Sequence, residues 1–223
     1  DGFVQADDDW SEFTPRVALS YDMSEDVTLY ATASRGYKSG GFATFGFDLP
    51  DGYEPAGDEA PLGTTPLAFD PEEVDSFEIG AKTRLLDNRL QLNASLFYYT
   101  YTDLQLVYFD SGSSQVANVG EAEGKGVEVD LRFVPTPHWD IMLGLSLLDT
   151  EITDATDIIE VEACSDCQGN NLPFAPELSV SSIVTYERPT ASGEMFFTTE
   201  YVYRSKMYGG PDNIADATVD KWD

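Results

Sequence analysis

The sequence is short of positive charge. Lys and Arg number 12 against 41 Asp and Glu, a formal net charge of −29 over 223 residues. A surface of that sign repels phosphate, and no basic patch offsets it, so DNA and RNA binding are excluded. Long apolar runs are absent as well. None approaches the ~20 residues a transmembrane helix needs. That excludes helical spans only, because the strands of a transmembrane barrel need just ~9–11 residues and alternate apolar with polar. Histidine occurs once, as His138, and cysteine twice, as Cys164 and Cys167. No nucleophile, imidazole and carboxylate fall together in a triad-like pattern, so neither an enzyme nor a cofactor or metal centre is expected. The start of the chain has no basic stretch followed by an apolar core, hence no visible signal peptide. The chain is expected to be cut from a longer one. High acidity can also signal disorder. Here 42% of residues are hydrophobic and 13% aromatic, which removes that reading.

What the sequence has in abundance is a period of two. Leu90, Leu92, Ala94, Leu96 and Tyr98 share one phase, with Gln91, Asn93 and Ser95, then Phe97 and Tyr99, on the other. Such alternation marks a strand with one apolar and one polar face. Trp139, Ile141, Leu143, Leu145 and Leu147 repeat it, as do Val127, Val129, Leu131 and Phe133 against Glu128, Asp130 and Arg132. About eight strands are expected, around 12–21, 27–38, 74–86, 90–109, 116–133, 139–152, 177–187 and 194–208, and no helix. Several exceed the ~5–6 residues usual in soluble sheets.

The connections alternate in length. Short turns fall at Asp22–Asp26, Asp87–Arg89, Pro135–His138 and Pro189–Gly193; long segments fall at Ser39–Glu73, Thr153–Ala175 and after Tyr208. Short periplasmic turns and long extracellular loops are the form of an outer-membrane barrel. Arg16, Glu78, Lys82, Arg84, Glu128, Asp130, Arg132 and Glu200 carry both signs of charge mid-strand. A small dry core would not tolerate them, whereas a wide wet lumen does. Aromatic residues gather near strand ends: Tyr21 and Trp139 by the short turns, Tyr37, Tyr98, Tyr201 and Tyr203 toward the long loops. Two such bands are what interfacial girdles look like. The competing reading is a soluble antiparallel sheet with one solvated face.

Several segments then resemble a known family. Phe69–Lys82 (FDPEEVDSFEIGAK), Leu90–Tyr98 (LQLNASLFY) and Tyr101–Gln105 (YTDLQ) are similar, in order and spacing, to the barrel strands of TonB-dependent outer-membrane receptors. So are Tyr30–Phe42, Asn118–Gly120, Gly124–Val129 and Leu172–Glu177. The resemblance covers most of the chain. It implies an all-β, antiparallel transmembrane barrel segment, with residues 1–223 forming part of a barrel of ~22 strands and the plug domain and final strands absent. It also implies active import of a scarce nutrient, by default a ferric siderophore or other iron complex. TonB would act through the missing N-terminal segment, energised by ExbB and ExbD, with outer-membrane lipid and lipopolysaccharide around the barrel. Cobalamin, haem and oligosaccharides are alternative ligands. A structural or adhesive barrel and a passive porin are alternative functions.

Candidate sites follow. Lys38, on the inward phase of its strand, is expected to face the ligand vestibule. Phe42, Phe45, Phe47 and Tyr53 either stack on a ligand or pack their own loop. The loop also holds Asp48, Asp51, Glu54, Asp58, Glu59, Asp70, Glu72 and Glu73 without a basic residue. This set reads as a solvated acidic surface, with ligand selection or cation binding as the alternative. With the second acidic loop at Asp154–Asp166, it disfavours strongly anionic ligands. Cys164 and Cys167 read as a small loop-stapling disulfide, against redox or metal chemistry. His138 reads as an exposed turn residue.

Overall fold

The computed structural model describes residues 6–48, 65–110, 113–118, 120–155, 167–214 and 218–219, and for 43–48, 65–67, 108–110, 113–115 and 218–219 the backbone alone. The strands in chain order are β1 (Arg16–Ser24), β2 (Val27–Lys38), β3 (Gly41–Asp48), β4 (Thr65–Phe69), β5 (Glu72–Leu85), β6 (Leu90–Thr102), β7 (Gln105–Asp110), β8 (Ser113–Asn118), β9 (Glu121–Phe133), β10 (Trp139–Asp154), β11 (Leu178–Thr190), β12 (Gly193–Arg204), β13 (Met207–Tyr208) and β14 (Thr218–Val219). Eight of them form one sheet in the order β1-β2-β5-β6-β9-β10-β11-β12. Every neighbouring pair is antiparallel. The sheet is an open wall with β1 and β12 at its edges.

The register separates two solvents. One row across the wall runs Leu19, Ala31, Ile79, Leu96, Val127, Leu147 and Leu178, each opposite the next. The adjacent row, on the other face, runs Ser20, Tyr30, Gly80, Ser95, Glu128, Ser146, Ser179 and Arg204. The apolar row is left open, with Leu19 at 70% exposure, Ile79 at 57% and Leu96 at 53%. Among the described residues, only Leu104, Ala122, Ile152 and Cys167 are buried hydrophobics. A water-soluble domain of this length hides most of its apolar surface. This wall hides very little, so its apolar face is built for lipid.

The belt has clear edges. Toward the short turns its outer phase ends in aromatics, with the Trp139 and Tyr186 rings 4.8 Å apart at their centroids. Toward the long loops, just beyond Phe77, Arg35 is held by Asp75 through two bonds of 2.8 and 2.6 Å and by Glu73 at 2.9 Å. Level with Tyr98, Lys125 pairs with Asp149 at 3.2 Å. From Leu90 to Tyr98 is ~27 Å of extended chain. At the usual strand tilt this gives roughly 20 Å of height, close to the apolar band of outer-membrane barrels.

All eight wall strands match the sequence reading, with altered ends. β6 stops at Thr102 instead of running to 109. Asp103 adopts φ 53°, a left-handed turn that Asp tolerates. Gln105–Asp110 and Ser113–Asn118 then pair apart from the wall as β7 and β8. The return is broken at Gly120, φ 86°, where a Cβ would sit 2.5 Å from the Asp154 carbonyl oxygen. The long segment after β2 likewise starts and finishes as a hairpin, β3–β4. β12 ends at Arg204, short of the expected 208. His138 sits in its short turn, its N–H donating to Thr136 Oγ1 at 3.3 Å and its ring 6.2 Å from that of Tyr186.

The two faces make opposite predictions for one substitution. Leu131→Arg, mid-belt, is expected to destabilise the membrane-inserted protein by about 2–4 kcal/mol. Asn93→Arg, on the polar phase of β6 beside Asp130, is expected to cost less than about 1 kcal/mol. Denaturant unfolding in bilayers measures both; equal costs would contradict the assignment of faces.

Candidate ligand-binding mouth

The polar face is lined by side chains that satisfy one another. Tyr30 donates its hydroxyl to Glu78 at 2.5 Å, and Lys82 Nζ lies 5.4 Å from the centre of the Tyr30 ring. Arg132 grips Asp140 through two bonds of 3.1 and 2.7 Å. All eight mid-strand charges singled out in the sequence share the phase of the Ser20–Arg204 row.

Along β6 the same face carries Phe97, Tyr99 and Tyr101. Phe97 and Tyr99 lie parallel within 2° at 6.1 Å, and Tyr101 meets Tyr99 edge-on at 5.5 Å. Opposite them β9 presents Gly126, Gly124 and Ala122. A Cβ on Gly124 would run into the Tyr99 ring and one on Gly126 into the Phe97 ring. The missing side chains are therefore what lets the rings lie on the neighbouring strand. At the top of this column Tyr101 packs on the small core of Leu104, Ala122, Ile152 and Cys167, together with Leu106, Ala155 and Leu172. The core seats the roots of the loops at 103–120 and 155–177 on the wall.

The loop roots are stitched by amide side chains. Asn118 accepts the Asp70 N–H on Oδ1 at 2.7 Å and donates Nδ2 to the Asp70 carbonyl at 2.9 Å and to that of Asp103 at 2.7 Å. Buried Gln105 donates Nε2 to the carbonyls of Ser39 and Asp70, both at 2.9 Å, and its N–H to Glu72 Oε2 at 2.8 Å. Across the mouth, Asn213 makes the same two-way grip on Asn171, at 2.8 Å in each direction.

The candidate residues divide. Lys38 ends β2 opposite Glu72, exposed and in the lumenal phase of its strand. Phe42 packs its ring on Trp10 at 5.9 Å, and Trp10 also covers Gly40. Phe45 and Phe47 lie on β3, Phe47 opposite Pro66, with side chains outside the description. Tyr53 and Cys164 lie outside the described residues. Cys167 is buried and its sulfur is in a disulfide. Three of the loop carboxyl residues serve the fold: Asp70 is clasped through its backbone, Glu72 caps Gln105, and Glu73 pairs with Arg35 on the outer rim. Asn118, Gln105, Asn213 and Trp10 had no role assigned from sequence, although the first two lie within segments that carried the family resemblance.

Fold and loop roots together define a wall segment of an outer-membrane β-barrel, with one polar face and the roots of its long connections tied to one another at one end. A family model described as "TonB dependent receptor-like, beta-barrel" matches residues 1–222, and the chain belongs to that family. It is 33% identical over 148 residues to a probable TonB-dependent siderophore receptor, PiuA, of Acinetobacter baumannii, covering 65% of this chain and 19% of that one. It is 28% identical over 200 residues to the probable TonB-dependent receptor BfrD of Bordetella pertussis, covering 90% and 24%. The chain thus spans about a fifth to a quarter of these relatives. Among solved structures it resembles the ferric yersiniabactin uptake receptor FyuA of Yersinia pestis, with a TM-score of 0.67 at 20% identity, over 93% of this chain and 28% of that one.

The ring-on-glycine column gives a test. Gly124→Val is expected to destabilise the barrel by about 1–3 kcal/mol through overpacking. Tyr99→Ala should relieve part of that cost when combined with it. A double-mutant cycle in denaturant measures the coupling, and strict additivity would contradict the contact.

Proposed function

We propose that this chain is part of the barrel of a TonB-dependent importer, a barrel of ~22 strands when complete, that takes a ferric siderophore or other iron complex across the outer membrane. The observation that carries the reading is the junction at the end of the wall, where the polar face meets the roots of the long connections and those roots are tied to one another. Ligand binds among the loops and above a plug domain carried elsewhere in the complete receptor. TonB, energised by ExbB and ExbD, pulls on that plug, while lipid and lipopolysaccharide surround the belt. The barrel positions and admits its ligand, and the reading gives it no catalytic step. The acidic loops favour neutral or weakly charged complexes over strongly anionic ones. Lys38 contacts the ligand from the rim, Phe45, Phe47 and Tyr53 offer rings to it, and Cys164 with Cys167 staples the acidic loop at 155–177.

The test is uptake of 55Fe from catecholate, hydroxamate and carboxylate complexes by cells producing the complete receptor. Receptor-dependent uptake that vanishes when TonB is removed is the expected result. Lys38→Ala should weaken binding about tenfold, the worth of one hydrogen bond to a charged group. Uptake that persists without TonB, or an open-channel conductance, would instead mark a passive pore.

A further inference from the structure

The hairpin β3–β4 leaves the wall at two breaks in the strand ladder. One lies at Ser39–Gly40, between β2 and β3; the other at Asp70–Pro71, between β4 and β5. Backbone groups at such breaks need partners from elsewhere, and Pro71 has no N–H to offer. The partners come from the next loop along the mouth. Gln105 Nε2 bonds the carbonyls on both breaks, Ser39 and Asp70, at 2.9 Å each. Asn118 takes the Asp70 N–H and returns an N–H to its carbonyl. Gln105 and Asn118 are the first residue of β7 and the last of β8, paired with each other at the base of that hairpin. Asn118 also ties Asp103, the left-handed residue at which that hairpin departs from β6. The points about which β3–β4 would swing are thus held by the base of β7–β8, and Asn118 ties the base of its own hairpin at the same time.

We propose that Gln105 and Asn118 are positioning residues that latch these two mouth loops into one moving unit, so that neither hairpin opens over the lumen without the other. This rests on the import reading, in which the loops gather ligand. The latch is selective for amides. A carboxylate at position 118 has the same shape but no N–H, and would set negative charge against the carbonyls of Asp70 and Asp103. A carboxylate at 105 would do the same to Ser39 and Asp70.

The experiment is hydrogen–deuterium exchange on the complete receptor in bilayers, without ligand, comparing wild type with Asn118→Asp, Gln105→Leu and Asn213→Asp. Strands 90–102 report whether the wall is still folded. Asn118→Asp and Gln105→Leu should each speed exchange in 41–48 and 65–69, the hairpin they do not belong to, by about tenfold, as expected for losing one or two hydrogen bonds. Asn213→Asp should speed exchange around 167–178 and leave 41–48 unchanged. If Asn118→Asp and Gln105→Leu alter only 105–118, the residues merely stabilise their own hairpin and the latch is wrong. Because the readout uses no ligand, that failure would leave the import reading standing. Loss of TonB-dependent iron uptake as an activity would remove the import reading and leave the latch.

Discussion

Everything in this structure depends on one requirement: in hydrocarbon, each backbone N–H and C=O must find its partner within the protein. The six inner strands of the wall meet it by pairing with a neighbour on each side, from Glu73 opposite Thr102 down to Leu85 opposite Leu90 in one of the longest runs. With the backbone committed to that ladder, side chains can only alternate, and each strand must serve two solvents at once. The Leu19–Leu178 row and the Ser20–Arg204 row are neighbouring lines of the same sheet with opposite chemistry. A slip of one residue in any strand would push Glu128 or Lys82 into lipid.

Where the ladder leaves the membrane the requirement relaxes, and the structure changes character at that height. Outside the wall, ionic clusters replace aliphatic rows, with Arg35, Glu73 and Asp75 at one place and Lys125 and Asp149 at another. Inside, the rings of Phe97, Tyr99 and Tyr101 lead up to a small dry core. Above it, amide side chains take over from the backbone. Asn118 on Asp70 and Asn213 on Asn171 each reproduce both bonds of a strand pair with one side chain. Such joints hold a loop in place without extending the sheet.

The sequence disclosed the wall almost completely, because period-two alternation is enforced by lipid on one side and water on the other. It disclosed the joints poorly. The alternation runs on through Leu104 and Leu106 after β6 has ended, and the break is made by the φ of Asp103, a residue type common in strand ends and loops alike. Gln105 and Asn118 were visible as members of family-like segments, yet their work is a contact across 35 and 48 residues of chain, which no local pattern announces. Asp70, Glu72 and Glu73 read as part of one acidic surface, but register sends Glu73 to the outer rim and Glu72 to the lumenal side.

One face of this wall meets lipid and the other a wet lumen. Spin labels placed singly along β6 of the complete receptor in membranes test it directly. Labels at Leu92, Ala94 and Leu96 should collide readily with dissolved oxygen, which concentrates in hydrocarbon. Labels at Gln91, Asn93 and Ser95 should favour a water-soluble relaxer. An accessibility pattern with period two and that phase is the expected result. A flat pattern, or the opposite phase, would contradict it.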